Sequence, residues 1–333
     1  MPPLELSCVD DVLGPRAGRF LGEGFKRATH SLSGITIAPR PQADAGITAT
    51  AHLTPPAGRT RQDDRDDIPA RLSAIDAMLF GAQLTGLYAA HTLQLPPDAR
   101  FAVQHLELRA KTGQGQDEPA KFPVSGRPVD GPHPGPRTAT TLECRIGSLT
   151  ARVHARHSPA PTDSPPGPEQ VYDLPQELPG PWNEAPYGIA HTARQQLLTQ
   201  VSASIAQGRA CARATLAPHR AAAIPAGSPA TMIDALVAVL QLGQVLLYAL
   251  DGLDHAHGDD LRMRRIRITA AGAPAARPTD QVSAALAQAQ LVPSPAGIWR
   301  TAEVRGALHG IQVQAGVAHL LPAAWPGHDR PGP

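Results

Sequence analysis

Two acid–amide pairs recur in this chain. Asp76 and Gln83 stand seven residues apart, as do Asp234 and Gln241, each pair inside a long apolar run. Seven residues at about 100° each fall roughly 20° short of two full turns, so each pair shares one helix face. A carboxylate can take up or release a proton, and an amide can orient a carbonyl or hydroxyl. On an apolar helix both need partners, because an unpaired buried polar group costs on the order of 1–3 kcal/mol. Those partners are a substrate or the protein's own backbone. Ser73 with Asp76, and Thr231 with Asp234, spell S/T-x-x-D, the capping box in which the carboxylate reaches back to the N-cap amide. Capping and proton transfer are compatible, and capping leaves the glutamines unexplained. A glutamine on an apolar face is more often satisfied within the core than used in chemistry.

His30 is the third catalytic candidate. With Gly34 and Pro39 it shows H-x-x-x-G-x-x-x-x-P spacing, which resembles thioester dehydratases, where the histidine is the base and the proline begins a helix. Here a second strand-like run intervenes before the helix, so His30 stands mainly on its titration near neutral pH. The stretch Asp251 to Asp260 (DGLDHAHGDD) is rich in ligand types but follows a helix end and has no defined ligand spacing, so no metal is expected. The basic run Arg262 to Ile268 suits a phosphate or a phosphopantetheine arm, or is simply a solvated strand face. Arg59 to Asp67 mixes charge signs as exposed loops do. No P-loop, dinucleotide fingerprint or nucleophile elbow occurs, and no cofactor is expected.

The elements that must position these residues repeat. Two strand-like runs (Leu32 to Ala38 and Gly46 to Thr54; Leu197 to Ala206 and Ala210 to Ala217) precede a long helix, Ser73 to His91 or Thr231 to Asp251. Three more strands follow each helix: Phe101 to Ala110, Thr138 to Arg145 and Ser148 to His157, then Arg262 to Ala270, Trp299 to Arg305 and Gly310 to His319. The strands alternate with period 2, whereas the helices are apolar nearly all round and so must be enclosed. One buried helix wrapped by an antiparallel sheet is the hotdog arrangement. Two copies predict an α+β double hotdog.

Direct matches support the duplication. SAIDA (Ser73 to Ala77) lies over TMIDA (Thr231 to Ala235) at an offset of 158, and TLECR (Thr141 to Arg145) over TAEVR (Thr301 to Arg305) at 160. Leu53 falls near Leu216. Proline clusters at 112–137, 158–186 and from 322 read as loops. The expected domains are therefore 1–157, a linker 158–186, a second unit 187–322 and a tail 323–333.

Composition sets the outer limits. In 333 residues, 30 Lys+Arg nearly cancel 29 Asp+Glu, which argues against a nucleic-acid partner, since binding phosphates needs a basic surplus. Aromatics are only 4%, so aliphatic side chains do the packing. Cys8, Cys144 and Cys211 form no CxxC. The N-terminus lacks a signal-peptide pattern, and no uncharged apolar run reaches the roughly 18 residues of a membrane span. A cytoplasmic monomer or homodimer is expected.

Two resemblances converge on acyl chemistry. PATMIDA (Pro229 to Ala235) with Gln241 resembles the second-hotdog motif of polyketide synthase dehydratase domains, whose aspartate is the general acid. DDVLGP (Asp10 to Pro15), RFLGEGFKRATH (Arg19 to His30) and RLSAIDAMLFGAQL (Arg71 to Leu84) are similar to the avirulence D (AvrD) family, with Arg71 where the family pattern has histidine. That family is associated with joining a β-ketoacyl thioester to a ketose to make lactone signals. A-factor-type butyrolactone synthases, also tandem hotdogs, carry out a related acylation. The resemblance implies an acyl-CoA or acyl carrier protein thioester and a small hydroxylated acceptor as partners. Dehydration or hydrolysis of an acyl thioester, or acyl binding without catalysis, are the alternatives. Asp234, Asp76 and His30 are then the acid–base candidates, with Asp234 slightly favoured. Gln241, Gln83, Ser73 and Thr231 are the substrate-binding candidates.

Overall fold

The structure is a computed structural model that describes residues 3–38, 46–54, 70–110, 117–118, 120–129, 138–160, 167–183, 190–218, 229–253, 261–270, 279–323 and 325. In chain order the first elements are β1 (Leu4–Cys8), α1 (Asp10–Leu13), β2 (Thr29–Ile37) and β3 (Ile47–Thr54). Two-residue β4 (Ala70–Arg71), α2 (Ala74–Leu93), β5 (Phe101–Ala110), two-residue β6 (Asp117–Glu118) and β7 (Lys121–Pro128) follow. Next come β8 (Ala139–Ile146), β9 (Leu149–His157), β10 (Gln170–Tyr172), α3 (Ala190–Ala193), β11 (Arg194–Ser204) and β12 (Arg209–Pro218). The last are α4 (Met232–Asp251), β13 (Arg262–Ala270), β14 (Thr279–Ser294), β15 (Gly297–Leu308) and β16 (Ile311–Leu320).

The chain divides into two compact units. One is continuous, Phe25–Thr192; the other is discontinuous, Met1–Gly24 with Ala193–Pro333. The continuous unit carries an antiparallel sheet in the order β5-β9-β8-β7-β3-β2-β10. Helix α2 packs on it, buried along nearly its whole length. The discontinuous unit carries β1-β11-β12-β14-β15-β16-β13 and helix α4. The fold is hotdog-like α+β, and the strand orders of the two units correspond position for position. The N-terminal stretch, expected with the first half, pairs β1 with β11 and so belongs with the second.

Both capping boxes are formed, so each helix starts where S/T-x-x-D places it: the Ser73 and Thr231 side chains accept from the N3 amides, and the N3 carboxylates accept from the N-cap amides. Helix α4 is long and apolar enough to cross a membrane by length and composition, yet most of it is buried in the core of its unit.

Several strands form where the sequence suggests none, β7 and β14 the longest among them. Strand β7 lies in the proline-rich run 112–137. Its Pro123 pairs only on the β3 side and its Pro128 only on the β8 side, so neither missing N–H breaks a doubly paired position. Strand β14 is rich in alanine and glutamine, poor strand formers that hide it from pattern reading. Within the expected linker, β10 pairs with β2 and Trp182 is buried against Gly86. A Cβ at Gly86 would lie 2.3 Å from the Cβ of Trp182. At the tail, Trp325 Nε1 donates to the Asp251 carbonyl at 2.9 Å.

Candidate functional site

In the continuous unit, two of the sequence candidates meet. His30 Nε2 lies 2.6 Å from Asp76 Oδ1, and the ring sits edge-on to Phe80. The other oxygen, Asp76 Oδ2, accepts from the Ser73 amide at 2.7 Å, while the Asp76 amide donates to Ser73 Oγ at 3.2 Å. The capping box thus fixes the carboxylate and leaves one oxygen for the histidine. With Asp76 as acceptor, Nε2 of His30 donates. Its Nδ1 then remains an acceptor, without a hydrogen-bond partner among the described residues. Gly34 has φ +57° at the bulge of β2 between Ser33 and Thr36, the left-handed region that glycine adopts at little cost. Pro39 lies outside the described residues. Gln83 is half-buried two turns along α2 and makes no side-chain hydrogen bond among the described residues.

The discontinuous unit holds the corresponding place differently. His30 is paired with Leu53, and Gln196 with Leu216, in sheets whose bulges match: Ser33/Thr36 in one, Thr199/Ser202 in the other. Gln196 therefore occupies the position of His30. Its Nε2 donates to Asp234 Oδ1 at 2.7 Å. Asp234 Oδ2 accepts from the Thr231 amide and hydroxyl, each at 2.8 Å, and from Arg194 Nη1 at 3.1 Å. The same Arg194 nitrogen donates to the Pro229 carbonyl at 2.7 Å. Asp234 is wholly buried and both its oxygens are engaged. Gln241 Oε1 accepts from Arg19 Nη1 at 3.0 Å, and Arg19 Nη2 also pairs with Asp10. Burial pulls the Arg19 guanidinium below its ordinary value, with Asp10 working the other way.

Arg194 and Gln196 do not stand out by motif, and Arg19 enters the sequence reading only as the first residue of the AvrD-like run Arg19 to His30. Gln196 aligns with His30 only through the strand pairing, His30 opposite Leu53 and Gln196 opposite Leu216, and sequence spacing alone does not give it.

Other polar clusters are structural. Asp251 accepts from Arg300 Nη2 at 2.5 Å and lies 3.1 Å from His319 Nε2. Burial raises its carboxyl, but His319 and Arg300 together hold it below the usual range. The rest of the acidic–histidine run, 254–260, lies outside the described residues. No group of three or more metal-ligating side chains occurs among the described residues. In the basic strand, Arg262 stacks over Trp299, its guanidinium carbon 4.7 Å from the ring centre. Burial pushes the Cys144 thiol up to about 12, so it is no nucleophile at neutral pH.

No curated protein sequence matches the chain. Among solved structures it is similar to the tesB protein of Mycobacterium avium subs paratuberculosis, at 10% identity and TM-score 0.41 over 82% of this chain and 92% of that one. It is also similar to an acyl-ACP thioesterase from Bacteroides thetaiotaomicron VPI-5482, at 14% identity and TM-score 0.36 over 75% and 92%. A third is the 12:0-ACP thioesterase from Umbellularia californica, at 9% identity and TM-score 0.39 over 75% and 88%. The family model described as Pseudomonas avirulence D protein (AvrD) matches residues 5–322, nearly the whole chain, with the capping-box helices and the His30–Asp76 pair inside the matched region, and the chain belongs to that family.

Proposed function

We propose that this protein is a cytoplasmic double-hotdog enzyme that takes a β-ketoacyl thioester, from CoA or an acyl carrier protein, and joins the chain to a small hydroxylated acceptor in making a lactone-type metabolite. The observation that carries the reading is the 2.6 Å pair of His30 and Asp76 at the N-terminus of a buried apolar helix, in a chain of the AvrD family. His30 Nδ1 takes a proton from the acceptor hydroxyl, whose oxygen bonds to the acyl carbon as the C–S bond breaks, and passes that proton to the leaving thiolate, while Asp76 orients the ring and offsets the charge that forms on it. The positive end of the α2 dipole favours negative charge developing near its first turn. Gln83, two turns along the same face, orients the substrate. Asp234, with both oxygens engaged, secures the start of α4 rather than moving protons, and Thr231 and Ser73 serve as caps.

The test is incubation of the protein with a β-ketoacyl-CoA and a set of ketoses, followed by mass spectrometry. A product of mass equal to acyl chain plus ketose supports the reading. Thiol release with no coupled product points to a hydrolase, and an α,β-unsaturated thioester to a dehydratase. Absence of any change in every thioester offered leaves a binding protein, and the catalytic reading falls.

A further inference from the structure

We propose that Phe80 is a positioning residue for His30: its ring fixes the plane of the imidazole, so that Nε2 stays on Asp76 and Nδ1 stays open to the substrate. This rests on the reading of His30 as the proton carrier and adds the group that aims it. The two rings stand edge to face, their centres 5.5 Å apart and their planes at 70°. Phe80 is wholly buried, whereas His30 keeps 14% of its side-chain surface exposed.

One hydrogen bond fixes a point on an imidazole ring but not its plane. The torsion that turns the ring is broad and roughly two-fold, and a half-turn about it would put Cε1 where Nε2 donates. A second contact, away from that nitrogen, removes the freedom. Asp76 and Phe80 are i and i+4 on α2, neighbours on one helix face, so a single helix supplies both contacts. The sheet brings the imidazole to them. His30 on β2 lies opposite Leu53, and Phe122 on β7 lies opposite Ala51. Leu53 and Ala51 are two apart on β3, so His30 and Phe122 leave the same sheet face from either side of that strand. Phe80 meets both. Phe122 is buried and forms a second T-shaped pair with Phe80, at 6.0 Å and 88°, which braces the contact on His30 from behind.

The duplication supplies an internal comparison. The offset of 158 that lays Asp234 over Asp76 lays Ala238 over Phe80. Gln196 stands at the place of His30, so the phenylalanine is missing where the histidine is missing. The aromatic ring goes with the imidazole it orients.

Nuclear magnetic resonance of the full chain labelled with ¹⁵N-histidine reads the ring without turnover. The Nε2 proton of His30 is identified by its loss in His30→Gln, and its exchange with water reports how often the bond to Asp76 opens. An aromatic pair of this kind biases a population about two- to ten-fold. Phe80→Leu keeps apolar bulk and removes the ring. It should speed that exchange about three- to ten-fold and lower kcat for thiol release from a β-ketoacyl-CoA by a similar factor, with KM unchanged. Phe80→Met serves if Phe80→Leu does not fold, and Phe122→Leu should move both readouts the same way by less. Unchanged exchange in a folded Phe80 variant overturns the proposal, as does a parent without a protected Nε2 proton. So does faster exchange with unchanged kcat, and so does a raised KM alone, which makes Phe80 a substrate contact. If the parent turns over no thioester the acyl-transfer reading falls, and the exchange measurement by itself decides whether Phe80 orients His30.

Discussion

Replacing His30 by glutamine separates chemistry from architecture, because the protein already contains the outcome in its other unit. There Gln196 donates to Asp234 at 2.7 Å, against 2.6 Å for His30 and Asp76. A glutamine at position 30 reaches Asp76 Oδ1 from an equivalent strand position and keeps the hydrogen bond, but its amide neither takes up nor releases a proton near neutral pH. A hydrogen bond to a carboxylate contributes about 1.5–3 kcal/mol. His30→Gln retains most of it, whereas His30→Ala forfeits it and leaves Asp76 Oδ1 unpaired at a largely buried site. For a unit of this size 1 kcal/mol moves the melting temperature by about 2–4 °C. Calorimetry should therefore place His30→Gln within about 2–4 °C of the parent and His30→Ala clearly lower. Turnover, followed by release of free thiol from a β-ketoacyl-CoA with a colorimetric disulfide reagent, should fall about 10²- to 10⁴-fold in both. Folded His30→Gln with undiminished turnover refutes the acid–base role. Equal destabilisation of the two variants refutes the equivalence of positions 30 and 196.

Three further outcomes follow from the same contacts. Asp234→Asn takes a charged partner from the buried Arg194 guanidinium, and chemical denaturation should show a loss of about 3–5 kcal/mol. Asp251 has a depressed carboxyl pKa, so its stabilising effect is present above the ordinary carboxylate range and is lost as pH falls through the lower folded value. Melting curves of Asp251→Asn should accordingly be lower at neutral pH and converge on the parent curve below about pH 4. Gly86→Ala drives a methyl into Trp182, and the overpacking should cost about 1–3 kcal/mol and speed proteolysis of the 167–183 segment, with no change in either as the contrary result.

What the sequence makes legible is what local chemistry controls. S/T-x-x-D sets both helix starts, since a capping box is closed within four residues, and the all-round apolarity of the helices reports their enclosure. Period-2 alternation finds most strands. It fails at β7, where two prolines mask a strand that pairs them on one side each, and at β14, where alanine and glutamine carry no strand preference of their own. The site is legible only in fragments. His30 and Asp76 each stand out by type, but 46 residues separate them and only sheet packing brings them together. Arg194 is invisible beforehand because its role depends on partners 35 and 40 residues away, the Pro229 carbonyl and Asp234. The motif around Asp234 points to chemistry by resemblance, while its contacts show a carboxylate with both oxygens engaged.

The passage of β1 into the sheet of the later half has a consequence for biosynthesis. Residues 25–192 lie between the two segments of the discontinuous unit, so the first 24 residues leave the ribosome long before the strand they pair with. Closing an unstructured loop of about 170 residues costs roughly 4–5 kcal/mol in chain entropy. If the continuous unit is already folded, that cost largely disappears, because a compact body replaces the loose loop. Folding of the continuous unit before β11 is made would therefore ease the closing of the other unit's sheet onto β1. A gene cut at the proline-rich 158–186 segment would part each sheet from its own edge strand, whereas cuts beside residues 25 and 192 would leave a self-contained unit.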